Sequence, residues 1–214
     1  MKKAVIFDLD GTLADTLSGI THFVNRAMTA YGLSSFSKDT IKIMVGAGAK
    51  SLIKRALARH NASHLFDEVF PFFTSIYNAH PDHDLKAYEG ISEMLTCLRD
   101  KGIKIAVTSN KPHETAAPIC HQLFPGQIDF ALGNKEGIPH KPDITAIRMA
   151  WQALGVTPEE CIYVGDTDCD MQTGKNGGML TVGVQWGFRA EKELWDNGAD
   201  HVISHPSELL ELLK

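Results

Sequence analysis

Hydrophobic residues occur along this chain in short continuous runs rather than in alternation with polar residues. The runs lie at residues 3–10, 104–110, 128–133, 161–166, 180–185 and 201–204. A continuous apolar run of this length is typical of a strand that is buried on both faces, as in a parallel sheet covered by helices. The pattern therefore predicts that these segments form one parallel sheet.

Helical periodicity fills the intervals between most of these runs. The predicted helices lie at residues 90–102, 113–124, 142–155, 170–178 and 206–214. Strands that alternate with helices of this length favour an open α/β sheet with helices on both faces. The fold class predicted from the pattern is therefore α/β, with a Rossmann-like core.

One long interval breaks the alternation, because residues 16–80 contain helical periodicity and no predicted strand. Its helical stretches are 16–32, 49–60 and 63–80, and Pro71 is expected near a bend or break in the last of them. A helical block between the first two strands of a sheet predicts an inserted α-helical cap domain.

The expected domain boundaries follow from this block. The core comprises residues 1–15 and 84–214, and the cap comprises residues 16–83. The hinges are expected at residues 14–16 and within 80–90, a stretch that contains Pro, Asp and Gly. We expect such a cap to open for substrate and to close so that water is excluded.

Composition narrows the class of protein. Hydrophobic residues make up 43% of the 214 residues, which is enough for a core and argues against disorder. The net charge of −5 argues against a broad basic face for nucleic acid or membrane. The apolar run at the N-terminus is too short for a signal peptide, so a cytoplasmic location is expected.

We interpret several side chains as packing residues: Cys97, Cys120 and Cys161, with their thiols reduced, and the three tryptophans.

Polar residues follow several of the predicted strands. Asp8 and Asp10 end the first, Ser109 to Lys111 end the second, and Asp166 ends the fourth. Ligands of open α/β sheets bind at the carboxyl ends of the strands, so these groups are expected to converge. Asp8 and Asp10 would repel each other unless a cation lay between them, and carboxylates with phosphate oxygens are what Mg²⁺ prefers.

Four segments together resemble one known family. "DLDGTLAD", "VTSNKP", "KPD" and "VGDTDCDM" are similar, in order and spacing, to the motifs of the haloacid dehalogenase superfamily of phosphohydrolases. The stretch "VGAGAKSLIKRAL" and the "SNKP" turn resemble the phosphoglycolate phosphatase-like members. The resemblance covers essentially the whole chain, including the helical insertion.

The resemblance implies a set of roles for these residues. Asp8 would be the nucleophile that becomes an aspartyl phosphate, and Asp10 would be the general acid and base. Mg²⁺ would be held by Asp8, by the main-chain carbonyl of Asp10 and by Asp166. An aspartate at position 10 favours phosphate ester chemistry over carbon–halogen chemistry, because the dehalogenases lack it.

The remaining candidate residues surround this centre. Ser109, Asn110 and Lys141 would bind the transferring phosphate, and Thr12 would steady the loop. Asp170 would bind the metal through water or would orient Lys141. In the predicted cap, Gly46 and Lys50 are candidates for substrate contact. A simple helix break at Gly46 and a solvated helix charge at Lys50 are the alternatives.

The expected function is Mg²⁺-dependent hydrolysis of a small phosphomonoester, with 2-phosphoglycolate as the first candidate. A β-phosphoglucomutase-like phosphomutase, a pyrophosphatase and a non-catalytic phosphate-binding module are the alternatives. The expected partner is a small phosphorylated metabolite, and neither a nucleic acid nor a membrane is expected to be a partner. The protein is expected to be a monomer or a small homo-oligomer.

Overall fold

The computed structural model describes residues 1–80 and 83–214. The hinge predicted within residues 80–90 falls in part on Pro81 and Asp82, which lie outside the described residues. The chain divides into two compact units. One contains Met1–Asp15 with Lys86–Lys214, and the other contains Thr16–Leu85.

A parallel sheet forms the centre of the first unit. The strands of the protein are β1 Ala4–Phe7, β2 Ala14–Asp15, β3 Lys86–Ala87, β4 Lys104–Pro112, β5 Phe130–Asn134, β6 Cys161–Gly165, β7 Leu180–Val184 and β8 His201–Ile203. The order in the main sheet of the described residues is β5-β4-β1-β6-β7-β8, and every pairing in it is parallel. This arrangement confirms the predicted α/β fold class.

Strand β1 lies at the point where the strand order reverses. The chain leaves β1 for β4 and β5 on one side and later returns to β6 on the other. Phe7, the last residue of β1, lies opposite Val107 on β4 and Val164 on β6, and β4 continues beyond this level to Pro112. Crevices for ligands form beside such a reversal, at the carboxyl ends of the strands.

The helices cover this sheet and form the second unit. They are α1 Leu17–Ala30, α2 Lys38–Lys42, α3 Gly48–Arg59, α4 Phe66–Ala79, α5 Ile91–Asp100, α6 His113–Leu123, α7 Thr145–Leu154, α8 Asp168–Asn176 and α9 Glu191–Asp196. Helix α7 buries Ile147, Ala150 and Leu154 against Ala4 and Tyr163 of the sheet. This spacing of three and four residues is the apolar stripe that the sequence pattern indicated.

Several elements differ from the sequence prediction. Residues 206–213 form a 3₁₀ helix rather than an α-helix. The short elements α2, α9, β2 and β3 were not predicted, because two to six residues carry too little periodicity for recognition. Strands β2 and β3 pair antiparallel, with Ala14 opposite Ala87, where the chain leaves and re-enters the first unit.

The second unit contains only helices among its described elements. Helix α1 buries Ile20, Phe23, Val24 and Ala27 along one stripe. A bend or break was predicted near Pro71; the break is wrong, because α4 continues through this residue, and the bend stays a prediction. Pro71 and Asp67, whose carbonyl would accept the missing N–H, are both exposed, so water can satisfy that carbonyl.

Two side chains that were interpreted as packing residues are exposed. Cys97 is exposed, so its interpretation as a packing residue is wrong. Helix α5 buries Met94, Leu95 and Leu98 instead, and Cys97 lies off that stripe. Trp195 is also exposed, at 45% of its surface, unlike a packing residue. Among the described residues, no helix combines the length and the apolar character that crossing a membrane requires.

Candidate active site

A tight turn after β1 places two carboxylates at the carboxyl edge of the sheet. The Asp8 amide donates to the Val164 carbonyl at 2.8 Å, which extends the β1–β6 ladder by one residue. The chain then turns back, and the Leu13 and Ala14 amides donate to the Leu9 carbonyl at 3.0 and 2.9 Å. Gly11 has a φ of +90° in this turn, a conformation that favours glycine. Asp8 is buried as a result, although it carries a carboxylate.

Lys141 bridges two of the acidic residues. Its Nζ lies 2.6 Å from Asp8 Oδ1 and 2.7 Å from Asp170 Oδ1. The same Nζ lies 3.2 Å from the Tyr163 hydroxyl and 3.3 Å from the Thr108 carbonyl oxygen. The lysine side chain is only 4% exposed. These oxygens therefore replace the hydrogen bonds to water that the ammonium loses on burial.

Asp166 is held through both of its oxygens. Thr12 Oγ1 donates to Oδ1 at 3.1 Å, and the Phe188 amide donates to Oδ2 at 2.7 Å. Asp166 is fully buried directly after β6. Thr12 was predicted to steady the loop after β1, and the bond to Asp166 is the contact through which it can do so.

The site carries an excess of negative charge. Asp8, Asp166 and Asp170 each offer a carboxylate oxygen, and these oxygens lie within 4.8 Å of one another. Lys141 compensates only one of the three charges. Burial, with added repulsion from Asp170, raises the pKa of Asp8 to about 7, although Lys141 opposes the shift. Burial and the same kind of repulsion raise the pKa of Asp166 well above its usual value.

The carboxylates around Lys141 favour the charged form of this lysine. Burial alone would lower the pKa of its ammonium, but Asp170 and Asp8 together raise that pKa well above its usual value. The lysine therefore stays charged, and the three carboxylates, when all are ionised, would carry two negative charges that it does not compensate.

These residues fit a magnesium ion. The donors are carboxylate oxygens, which hard divalent cations prefer, and two positive charges would balance the excess. Asp8 Oδ1 accepts from Lys141, whereas Oδ2 receives no hydrogen bond from the described residues. The cluster consists of the carboxylates of Asp8, Asp166 and Asp170, while the predicted set used Asp10 through its main-chain carbonyl. That carbonyl remains a predicted ligand.

The Asp10 side chain has a different partner. Lys111 Nζ lies 3.0 and 3.2 Å from the two carboxylate oxygens of Asp10. The Lys111 side chain is 3% exposed and that of Asp10 is 15% exposed. Sequence reasoning placed Lys111 at the end of a strand but gave it no role. Its signal was its position beside Ser109 and Asn110 in the second motif.

Ser109 and Asn110 lie at the end of β4, both buried. Ser109 Oγ accepts from the Lys111 amide at 3.2 Å, which leaves the hydroxyl hydrogen able to donate elsewhere. Asn110 Oδ1 accepts from the Lys141 amide at 2.9 Å. The carboxamide therefore fixes the backbone that carries Lys141, and its predicted contact with phosphate stays a prediction.

Asp170 serves the fold as well as the site. Its Oδ2 accepts from the Thr167 amide at 3.1 Å and from Thr167 Oγ1 at 2.6 Å, and these bonds cap the N-terminus of α8. Its Oδ1 contacts Lys141. Of the two predicted roles, orientation of Lys141 is the one for which the structure contains a direct contact.

The two residues predicted to contact substrate lie in the second unit. Gly46 precedes α3 with a φ of +119°, and Lys50 is an exposed residue of α3. Their contact with substrate remains a prediction.

Residues 185–189 are a part of the site that sequence reasoning missed. They follow β7, and Phe188 supplies one of the bonds to Asp166. Trp186 was interpreted as a packing residue, yet its Nε1 donates to the Thr12 carbonyl at 2.9 Å. The only signal was the position of the segment after a strand of the sheet.

The fold and the site define a class of protein. A parallel sheet with this order presents carboxylates and a buried lysine at the strand ends beside the reversal, an arrangement suited to phosphoryl chemistry. The chain belongs to the haloacid dehalogenase-like hydrolases, whose family model matches residues 5–184. This finding confirms the family and the prediction of a hydrolase acting on phosphoric monoesters.

Known relatives span nearly the whole chain. The phosphoglycolate phosphatase of Aquifex aeolicus is 31% identical over 212 residues, which cover 99% of this chain and 96% of the relative. The N-acetylmuramic acid 6-phosphate phosphatase of Pseudomonas aeruginosa is 29% identical over 213 residues, or 99% and 94% of the two chains. The names of these two relatives specify different substrates.

A solved structure agrees with the fold. A protein from Lactobacillus delbrueckii subsp. bulgaricus, provisionally named phosphoglycolate phosphatase, is 34% identical and superposes with a TM-score of 0.95. The superposition covers 100% of this chain and 99% of the other.

Proposed function

We propose that this protein is a Mg²⁺-dependent phosphatase that hydrolyses a small phosphomonoester through a phosphoaspartate on Asp8. The observation that carries the proposal is the position of Lys141. Its Nζ holds Asp8 Oδ1 at 2.6 Å, which fixes the carboxylate while Oδ2 receives no hydrogen bond from the described residues. A fixed carboxylate with one free oxygen is suited to in-line attack on phosphorus.

The first chemical step forms the phosphoaspartate. Asp8 Oδ2 attacks phosphorus, the bond from phosphorus to the alcohol oxygen breaks, and protonated Asp10 gives its proton to that leaving oxygen. Lys141 and the Ser109 hydroxyl stabilise the negative charge on the phosphoryl oxygens. Bound Mg²⁺ would supply further neutralisation of that charge.

The second step returns the enzyme to its initial state. Asp10, now a carboxylate, accepts a proton from water, and the water oxygen attacks phosphorus. The bond between phosphorus and Asp8 breaks, so inorganic phosphate leaves and Asp10 is again protonated. Lys141 holds Asp8 in one orientation through both steps, which limits the reorganisation of the site.

We propose 2-phosphoglycolate as the first candidate substrate, on the basis of the relatives' names. The name of the Pseudomonas relative favours a second candidate, a sugar phosphate of the N-acetylmuramic acid 6-phosphate type. Both compounds are small phosphomonoesters that carry a carboxylate. The helical unit Thr16–Leu85 is proposed to act as the cap that selects between them.

The test measures phosphate release from a panel of compounds in the presence and absence of Mg²⁺. The panel contains 2-phosphoglycolate, N-acetylmuramic acid 6-phosphate, other sugar phosphates and pyrophosphate. We expect release that requires Mg²⁺, is abolished in Asp8→Asn and is unchanged in Asp100→Asn, a matched change at an exposed residue of α5. Acid quenching followed by mass spectrometry should find phosphate on the peptide that contains Asp8.

Other outcomes would favour the alternatives. Preference for pyrophosphate would indicate a pyrophosphatase, and isomerisation of a sugar phosphate with little phosphate release would indicate a mutase. Binding of phosphate by a folded protein without any turnover would leave only the binding module.

A further inference from the structure

Residues 186–189 contact both the turn after β1 and the residue that follows β6. The segment begins two residues after Val184, the last residue of the neighbouring strand β7, so it lies at the same edge of the sheet as Asp166. Its contacts with the site are made by main chain and by one indole. No role in the site was predicted for these residues, and their chemistry is not that of a nucleophile or an acid.

The loop orients Asp166 through hydrogen bonds, one made directly and one made through Thr12. The Phe188 amide donates to Asp166 Oδ2 at 2.7 Å, and Thr12 Oγ1 donates to Oδ1 at 3.1 Å. Trp186 Nε1 donates to the Thr12 carbonyl at 2.9 Å, so the loop also holds the residue that supplies the second bond. The segment therefore binds one carboxylate oxygen directly and contacts the residue that binds the other.

The loop also packs against Asp166 without space for a side chain. A Cβ built on Gly187 would overlap the Cβ of Asp166 and would lie 2.5 Å from its Oδ2. It would lie 2.6 Å from the Gly11 carbonyl oxygen as well. A Cβ on Gly11 would likewise overlap Asp166 Oδ2 and lie 2.9 Å from the Phe188 ring. The Asp166 side chain therefore packs closely against two glycines.

The far end of the loop is fixed to two helices. Arg189 Nε lies 3.4 Å from Asp168 Oδ1 on α8 and 2.9 Å from Glu193 Oε1 on α9. The arginine side chain is 9% exposed. Partial burial strengthens such charged contacts relative to those on an open surface.

We propose that residues 186–189 form a positioning loop that holds the Asp166 carboxylate in the orientation of a metal ligand. The inference rests on the proposed function, because Asp166 is taken as a ligand of the metal. Groups that orient a metal-binding residue alter affinity strongly, and their loss typically costs about 10-fold to 100-fold. The loop is therefore a determinant of metal affinity although it supplies no proposed ligand.

The test compares two tryptophan substitutions. Trp186→Phe removes the indole N–H that reaches Thr12 and keeps an aromatic ring. Trp195→Phe removes an indole N–H that donates to Glu191 on the exposed surface of α9, so it is the matched control. The dissociation constant of Mn²⁺, used as a spectroscopic probe, is measured by electron paramagnetic resonance, and that of Mg²⁺ by competition.

We expect Trp186→Phe to raise the dissociation constants of Mn²⁺ and Mg²⁺ about 10-fold. Trp195→Phe should leave both constants at the wild-type value. The unfolding midpoint without metal should be the same for both variants, which separates positioning from general stability. At saturating Mg²⁺ the kcat of Trp186→Phe should return towards the wild-type value, because the defect lies in affinity. Gly187→Ala should have a larger effect and raise these dissociation constants about 100-fold relative to the wild type.

Gly187→Ala has its own risk, since the added methyl group can prevent folding. Trp186→Phe changes no backbone and keeps the inference testable in that case. Equal Mn²⁺ affinity in wild type, Trp186→Phe and a folded Gly187→Ala would overturn the inference while the proposed metal site stands. Absence of Mn²⁺ and Mg²⁺ binding in the wild type would refute the proposed site, and the inference with it.

Discussion

Lys111 Nζ contacts both carboxylate oxygens of Asp10, at 3.0 and 3.2 Å. A contact with both oxygens fixes the plane of the carboxylate as well as its position. Asp10 is the proposed general acid, and acid catalysis depends on the alignment of the proton with the leaving oxygen. Lys111 is therefore expected to act on the reaction through Asp10.

Lys111→Met should slow the hydrolysis of alkyl phosphates about 10-fold to 100-fold more than that of p-nitrophenyl phosphate. A misaligned acid matters most for a poor leaving group, because a good one departs without a proton. Steady-state kinetics on the two substrate classes measure the difference. Lys101→Met, at an exposed lysine, is the control. Equal loss on both classes would show that Lys111 does not act through Asp10.

Lys141→Met should lower the free energy of unfolding by about 3–5 kcal/mol in metal-free protein, because it leaves buried carboxylates without their cation. Denaturant unfolding measures the change. Lys175 makes an ion pair of similar length, 2.8 Å to Asp200, but its side chain is 48% exposed. Lys175→Met should therefore cost less than about 1 kcal/mol. Similar losses for the two variants would contradict the assigned burial of Lys141.

The stability of the metal-free protein should fall as the pH rises from about 4 to about 7. Burial raises the pKa of Asp8 from 3.8 to about 7, so the folded protein keeps a proton there that the unfolded chain has lost. Asp166 acts in the same direction. Urea unfolding across this pH range should show a shallower decline in Asp8→Asn. An unchanged slope in that variant would contradict the raised pKa.

Mg²⁺ should stabilise the protein more at pH 8 than at pH 5, because metal and proton compete for the same carboxylates. The measurement is the shift in the thermal midpoint on addition of Mg²⁺. Asp166→Asn should lose most of the shift, whereas Asp100→Asn should keep it. A shift that is independent of pH would indicate that Mg²⁺ binds elsewhere.

Cys97 should be the thiol that reacts fastest with Ellman's reagent in the folded protein, because it is exposed. Burial raises the pKa of Cys120 and of Cys169 to about 12 and that of Cys161 to about 11, so their reactive thiolates are scarce. Cys97→Ser should remove the fast phase of labelling, and Cys120→Ser should leave it. Fast labelling that survives Cys97→Ser would contradict the assigned burial of the other cysteines.

The α/β class and its parallel strands could be predicted from the sequence, because burial of a strand on both faces imposes continuous apolar runs. The convergence of Asp8, Asp166 and Lys141 could be predicted for a related reason. Parallel strands end at one edge, so residues that follow different strands meet there. The short elements α2, α9, β2 and β3 lay beyond this reasoning, since their few residues show no period.

The sequence by itself determined the chemistry of this protein: the motifs that place carboxylates, a hydroxyl and a lysine after particular strands. Only the tertiary structure decided how these groups are held. It placed Asp10 against Lys111 rather than in the carboxylate cluster, and used Asn110 to fix the Lys141 backbone. It also brought residues 186–189 around Asp166. Such contacts depend on main-chain amides and on space beside glycines, which follow from the path of the folded chain and leave no pattern in the sequence.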